Sequence, residues 1–182
     1  WFGMLTGDML FKLGTRTRPY ELEAGATDAV LARGLATLIK GLEEQQDPLP
    51  LLSEIAKEVH RIPTKQERKP IVGIVGEIYV RSNRFANQDV VGAIERAGGE
   101  AWLAPISEWI LYTALCEGLQ AKEQWFRFGD YAATMLKNRY MFSSEKAYEK
   151  ACDIVLGDRH EPPVEETLEA GKPWFPVQFE GE

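Results

Sequence analysis

An apolar run that opens into a polar loop is the feature of this chain that most constrains its fold. Residues 71–76 read Ile-Val-Gly-Ile-Val-Gly, a pattern typical of a buried strand, and a helix is predicted at residues 89–97. A second strand is predicted at residues 101–104, where Pro105 ends it. Two strands joined by one short helix form a parallel, right-handed βαβ unit. We therefore predict an α/β fold, namely a helix-rich Rossmann-like module with a small parallel sheet.

Helical patterns surround this unit and divide the chain into four predicted segments. Residues 1–60 form a helical N-terminal segment, 61–70 a linker, 71–157 the Rossmann-like core with a helical extension, and 158–182 an acidic, proline-containing tail. Thr27 is a candidate N-cap for the helix that follows it. The apolar residues expected to face the core from the N-terminal helices recur at helical spacing. They are Val30, Leu31, Leu35, Leu38, Ile39, Leu42, Leu52, Ile55 and Val59.

Further helices are predicted after the second strand. Ser107 is expected to cap one, and Ser143 or Ser144 to cap another that ends at Gly157. Between them an aromatic-rich helix is expected at residues 120–140, with side chains typical of a core or an interface. These are Trp125, Phe126, Phe128, Tyr131 and Met135. Because a two-stranded sheet is rarely stable alone, either segments interpreted as helix supply more strands, or other residues or another chain complete the sheet.

Composition excludes several classes of partner. The net charge is −7, and residues 158–182 hold seven acidic residues against two basic ones, which argues against nucleic acid. Cys116 and Cys152 form no CxxC motif or Cys/His cluster, so we expect no metal held by this chain alone, and Cys116 is expected to be an inert buried thiol. No membrane span or signal peptide is visible, which favours a cytoplasmic location without a membrane partner. The chain begins at Trp1 within a helical pattern, and we interpret it as a piece of a longer polypeptide.

The loop at residues 76–87 is the candidate site. It carries a carboxylate, a phenol, a guanidinium and two amides after a predicted strand, where α/β proteins place ligand-binding groups. The pattern predicts a pocket for a phosphate-bearing or carboxylate ligand. Neither GxGxxG nor a P-loop motif is present, which argues against nucleotide binding, and no catalytic residue is assigned. The candidate ligand-binding residues are Glu77, Tyr79, Arg81, Asn83 and Asn87, together with Glu108 after the second strand.

The same residues also fit a structural role. In that interpretation Glu77 pairs with Arg81, Asn87 caps the next helix and Phe85 belongs to the core. Glu108 would then be an acidic residue that the helix dipole favours in a first turn, beside a core tryptophan.

Four segments of the chain resemble one family. They read Thr-Arg-Pro-Tyr-Glu at 17–21, Val-Gly-Glu-Ile-Tyr-Val-Arg-Ser-Asn-Arg-Phe-Ala-Asn at 75–87, Ala-Gly-Gly-Glu-Ala-Trp-Leu-Ala-Pro at 97–105 and Ser-Glu-Trp at 107–109. Together they resemble the large activase-related proteins of the 2-hydroxyacyl-CoA dehydratase system, the CoA-substrate-specific enzyme activases. The resemblance runs through most of the chain and concerns the dehydratase-subunit-like portion of those proteins, not their ATPase portion.

The resemblance implies a radical dehydratase context in anaerobic metabolism. In that system an ATP-driven activator sends one electron to a dehydratase component, a lyase that holds an iron–sulfur cluster and binds an acyl-CoA. This chain lacks the phosphate-binding motifs and the cluster-binding cysteines, so ATP and a [4Fe-4S] cluster are expected only in the parent protein. The fragment is expected to bind an acyl-CoA-type ligand, or to contact the remainder of the parent polypeptide or a dehydratase or activator subunit, without catalysis of its own. The alternative is a non-enzymatic interaction scaffold.

Overall fold

Helices dominate the fold, and they make up 67% of it. The computed structural model describes residues 1–123, 128–157 and 159–174, with the side chains of 118–131 outside that description. The helices are α1 (Phe2–Thr17), α2 (Ala26–Glu43), α3 (Pro48–His60), α4 (Ile78–Ser82), α5 (Val90–Arg96), α6 (Ile106–Glu123), α7 (Phe128–Leu156) and α8 (Val164–Gly171), with a 3₁₀ helix at Arg18–Tyr20. The strands are β1 (Ile71–Ile74) and β2 (Glu100–Leu103).

The main core lies between α1, α2, α3 and α7. Apolar residues at helical spacing on α1 and α3 pack against the C-terminal half of α7, so the core joins the predicted N-terminal segment to the helical extension. The predicted inward face of α3 is confirmed, because Leu52, Ile55 and Val59 are all buried. Asp47 begins that helix, since its Oδ1 accepts a hydrogen bond from the Leu49 amide at 3.0 Å.

The predicted inward face of α2 is wrong in part. Leu38 is buried, but Leu35, Ile39 and Leu42 are exposed. The helix turns its small residues toward α3 instead, and a Cβ placed on Gly34 would lie 2.9 Å from the Ile55 side chain. The close approach of α2 to α3 therefore determines which face of α2 is buried, and this face differs from the one marked by its apolar residues.

Two helices begin at caps that the local sequence does not predict. Glu21, not Thr27, caps α2: its carboxylate accepts hydrogen bonds from the amides of Gly25 at 2.7 Å and Thr27 at 2.8 Å, while Thr27 itself is buried within the helix. Asp8, on α1, caps α6 by accepting from the amides of Ile106 at 3.2 Å and Ser107 at 2.8 Å. The predicted caps Thr27 and Ser107 are therefore wrong, because acidic side chains from elsewhere satisfy the free amides.

Removing the Asp8 cap is expected to destabilise the fold. Asp8→Ala should lower the free energy of unfolding by about 1–2 kcal/mol, because the first amides of α6 lose their acceptor and α1 loses its link to that helix. Urea denaturation measures the change, with Glu23→Ala as a control at an exposed position. Equal midpoints for the two variants would contradict the assignment.

The two strands pair in parallel, as predicted. Ile71 lies opposite Glu100 and Ile74 opposite Leu103. Helices α1 and α5 pack against β2, whereas β1 has its main contacts with β2 alone. The prediction that β1 is buried is wrong, since Ile71 and Val72 are about 40% exposed. The described helices pack on one another and leave this strand without a covering layer.

The C-terminal helices differ from the prediction in one respect. Ser143 and Ser144 do not begin a new helix, because α7 runs continuously and both hydroxyl groups donate to the carbonyl of Tyr140 within it. Of the predicted aromatic set, Met135 is exposed, and Trp125, Phe126, Phe128 and Tyr131 lie outside the described side chains. In the part of the chain that the structure describes, no helix combines the length and the apolarity that a membrane span requires.

Candidate functional site

The loop after β1 is a short helix fixed by its own polar side chains. Gly76 has φ +135°, a value that favours glycine, and it turns the chain from β1 toward α4. Glu77 then begins α4, because its carboxylate accepts hydrogen bonds from the amides of Tyr79 at 3.1 Å and Val80 at 2.8 Å. The hydrogen bond from Val80, followed by that from Tyr79, lowers the pKa of Glu77. Glu77 therefore serves as a cap, and its carboxylate does not form the predicted ion pair with Arg81.

The two asparagines also bind the backbone of the loop. The Asn83 Oδ1 accepts from the amides of Phe85 and Ala86, both at 3.0 Å. The Asn87 Nδ2 donates to the carbonyl of Arg81 at 2.8 Å, and its Oδ1 accepts from the Val90 amide at 3.3 Å. Asn87 thereby satisfies the first amide of α5, whereas the N-cap position is occupied by Asp89, whose side chain makes no cap hydrogen bond. These amides hold the loop in one conformation, which fixes the positions of the side chains between them.

A cleft of about 500 Å³ lies beside this loop. It is bounded by α4, α5, the loop between them, the 3₁₀ helix and the start of α2. Two of the six predicted site residues, Arg81 and Asn87, line it; Glu77, Tyr79, Asn83 and Glu108 do not. Four guanidinium groups and three carboxylates share its wall. They are Arg18, Arg81, Arg84 and Arg96, with Asp28, Asp89 and Glu95.

Three of these arginines form ion pairs across the cleft wall. Arg18 contacts Asp28 at 2.9 Å and Glu95 at 2.8 Å, which joins the 3₁₀ helix to α2 and α5. Burial raises the pKa of Glu95, although the neighbouring Arg18 opposes that shift. Arg84 and Arg96 share the carboxylate of Asp89 at 2.8 and 3.0 Å.

Arg81 is paired differently from the other three. Its Nη2 donates to the carbonyl of Pro105 at 3.4 Å, so α4 is held against the chain that leaves the carboxyl end of β2. Its Nε is buried and has no hydrogen-bond partner among the described residues, and no ion pair reaches its guanidinium there. Arg81 thus brings to the cleft a positive charge with no ion-pair partner among the described residues, although from a greater distance this charge acts to lower the pKa values of Glu77 and Glu108.

Glu108 lies apart from the cleft, in a second cavity of about 200 Å³. Burial raises its pKa, and Glu161 adds to the shift while Arg81 opposes it. The neighbouring tryptophan, Trp109, is about half exposed, and Phe85 is 95% exposed, so the interpretation of both as core residues is wrong.

Most of the arginines of the cleft other than Arg81 carry no signal in the sequence that marks them as site residues. Arg84 is the exception, because it lies in the candidate loop three residues after Arg81, and two arginines at this spacing are consistent with an anion site. Arg18 comes from a segment far from the loop in sequence, whereas Arg96 lies at the end of α5, the helix that follows the loop. Only the packing of the 3₁₀ helix beside α5 brings them to the same cavity.

The described residues do not fit a metal or cluster site. No group of three or more His, Cys, Asp or Glu side chains in the described part of the chain is arranged to hold a metal ion. Cys152 is fully buried, and burial raises its pKa to about 12, which keeps it a neutral thiol. A cluster ligand must be a thiolate, so this cysteine does not suit that role. Cys116 is only partly buried, contrary to the prediction for it.

Comparison with known proteins does not identify the chain. No family model matches it, and no curated protein or solved structure is significantly similar to it. The function must therefore be argued from the cleft itself.

Proposed function

We propose that the cleft beside α4 binds a phosphate-bearing ligand of the acyl-CoA type. The observation that carries the proposal is the Arg81 guanidinium, which has no ion pair among the described residues and lies in a cleft with three further arginines. Guanidinium groups recognise phosphate and carboxylate oxygens through paired hydrogen bonds, and their attraction is strong where water is partly excluded. The cleft has the size typical of a small-molecule site.

The position of the cleft supports the same proposal. Helix α4 follows the carboxyl end of β1, and the Arg81 contact to the Pro105 carbonyl places it beside the carboxyl end of β2. Open parallel sheets place ligands at this edge. We accordingly propose that the two-stranded sheet is part of a Rossmann-like module, the finer form of the helix-rich α/β fold.

The family resemblance supplies the proposed biological setting. In this proposal the chain is a module of a cytoplasmic 2-hydroxyacyl-CoA dehydratase activase-related protein, and it binds ligand without catalysing a reaction alone. We propose that ATP and the [4Fe-4S] cluster of such a protein belong to other parts of it, since this chain lacks the phosphate-binding motifs and the cluster-binding cysteine pattern.

A CoA thioester titration tests the proposal. Arg81→Ala should weaken binding of acetyl-CoA about tenfold in isothermal titration calorimetry, because a charged hydrogen bond to phosphate is lost. Arg33→Ala is the matched control, since Arg33 is exposed on α2 and lies outside the cleft. The melting temperature of each variant is measured as well, because Arg81→Ala also removes the hydrogen bond to the Pro105 carbonyl and could destabilise the fold. No heat with millimolar acetyl-CoA, or equal affinity in both variants, would refute ligand binding at this cleft.

An interaction scaffold is the second candidate function. It is favoured by the uncovered strand β1 and by the exposed apolar side chains that follow it, Val75, Tyr79 and Phe85. In this alternative the surface contacts the remainder of a parent polypeptide or a dehydratase or activator subunit. Size-exclusion chromatography with light scattering distinguishes the two, since a strict monomer that binds acetyl-CoA supports the first function and a complex that Phe85→Asp disrupts supports the second.

A further inference from the structure

A single carboxylate bridges two arginines at the wall of the cleft. Asp89 accepts from the Arg84 Nε at 2.8 Å through one oxygen and from the Arg96 Nη1 at 3.0 Å through the other. The arginine side chains are 82% and 68% exposed, whereas that of Asp89 is 26% exposed. Two guanidinium groups converging on one two-oxygen acceptor is the arrangement that also binds a phosphate.

The local backbone is shaped to hold this carboxylate. Gln88 and Asp89 both have positive φ, 54° and 57°, which is uncommon for residues other than glycine. The Asp89 amide donates to the Arg84 carbonyl at 2.9 Å, which closes the turn between the two pairing residues. Gly92 leaves the necessary space, since a Cβ there would lie 2.3 Å from the Asp89 Oδ2 and 2.8 Å from the Arg96 Nη1.

We infer that Arg84 and Arg96 form a phosphate subsite of the cleft, and that Asp89 is a built-in competing anion which leaves the two guanidinium groups when a phosphate binds. This deepens the proposed function and rests on it. The Asp89 carboxylate occupies only one N–H group of each arginine, so the remaining donors of both can receive the incoming oxygens first. Because the subsite is filled in the free protein, ligand affinity is reduced by the fraction of molecules in which Asp89 is bound.

Removing the competitor should therefore strengthen binding. Asp89→Asn keeps the size of the side chain and tolerates positive φ, but it removes the charge. We expect this variant to bind inorganic pyrophosphate about tenfold more tightly than the unmodified chain. Calorimetry gives the affinity, and the NMR signals of the arginine Nε–H groups show which guanidinium groups respond. Arg84→Ala and Arg96→Ala, each combined with Asp89→Asn, should abolish the gain.

Asp28→Asn is the matched control. It removes one negative charge from the same cleft, but from a carboxylate that pairs with Arg18. A rise in affinity confined to Asp89→Asn supports the inference. Equal rises in both variants indicate a general effect of net charge and overturn it, as does no gain or no pyrophosphate binding in Asp89→Asn. The asparagine amide of Asp89→Asn can still accept a hydrogen bond from an arginine. Asp89→Gly removes this acceptor as well, and glycine tolerates the positive φ at this position, so its affinity for pyrophosphate is compared in the same way.

The subsite and the proposed function fail in different ways. If acetyl-CoA binds in an Arg81-dependent manner but Asp89→Asn changes neither ligand's affinity, the subsite is wrong and the function stands. If pyrophosphate shifts the Arg84 and Arg96 signals in Asp89→Asn while acetyl-CoA binds no variant, the subsite stands and the acyl-CoA function is wrong.

Discussion

Replacing Glu100 with glutamine is expected to lower the free energy of unfolding by about 3 kcal/mol. The Glu100 side chain is only 4% exposed, and it accepts from the Arg16 Nη1 at 3.1 Å, the Arg159 Nε at 3.2 Å and the Tyr20 hydroxyl. Glutamine keeps the shape but leaves two guanidinium groups without their buried counter-charge. A buried ion network that loses one partner costs far more than an exposed pair, because the remaining charges stay desolvated.

Urea denaturation at neutral pH measures this effect. Glu54→Gln is the control, since Glu54 pairs with Lys57 on the exposed side of α3, and the loss of this pair should change the free energy of unfolding little. A similar small cost for Glu100→Gln would show that the network contributes little. The variant also matters for the cleft, because Tyr20 and Arg16 fix the 3₁₀ helix from which Arg18 reaches its partners Asp28 and Glu95. We therefore expect Glu100→Gln to bind acetyl-CoA more weakly than the unmodified chain, in addition to being less stable.

Local pattern was sufficient to predict the elements that have strong periodicity and clear boundaries. The face of α3, the two strands and their parallel pairing follow from spacing, β-branched residues and turn chemistry. The helix-rich α/β class follows from the same signals. Each of these depends on residues close together in the sequence.

The errors concern contacts between distant residues. Nothing near α6 indicates that Asp8 of α1 caps it, and nothing in the apolar stripe of α2 shows that Gly34 faces Ile55. Phe85 and β1 are apolar, and apolar residues are normally assigned to a core, but here the neighbouring helices leave them exposed. The arginines of the cleft show the same limit, because tertiary packing alone brings Arg18 to Glu95.

Replacing Glu145 with glutamine is expected to stabilise the protein at alkaline pH. Glu145 lies on α7 in the second cavity, where burial, followed by repulsion from Glu149, raises its pKa to about 7. Lys12 of α1 opposes that shift, while Glu161 from the chain before α8 and Glu108 of α6 add to it. Lys146 and Glu165 also line the cavity. Lys12 forms its ion pairs with Glu149 and Glu161, and no ion pair between Lys12 and Glu145 is present among the described residues.

The sign of the pH dependence follows from the raised pKa. In the unfolded chain Glu145 ionises near 4.5, whereas in the folded protein it holds its proton to about pH 7. Between these values the folded state binds more protons, so the free energy of unfolding falls as the pH rises and then levels off above pH 7. Glutamine stays neutral throughout. Glu145→Gln should therefore gain about 1–2 kcal/mol over the unmodified chain at pH 8, after allowance for partial exposure, and this gain should disappear near pH 4.

Urea denaturation between pH 4 and pH 8 measures the difference. Glu165→Gln is the matched control, because Glu165 lines the same cavity but is exposed. A gain for Glu145→Gln that is constant with pH would indicate better packing of the amide, and a gain shared by Glu165→Gln would indicate relief of overall negative charge. A gain in the free energy of unfolding that increases with pH in Glu145→Gln, but not in Glu165→Gln, would show that ionisation of Glu145 destabilises the protein at high pH.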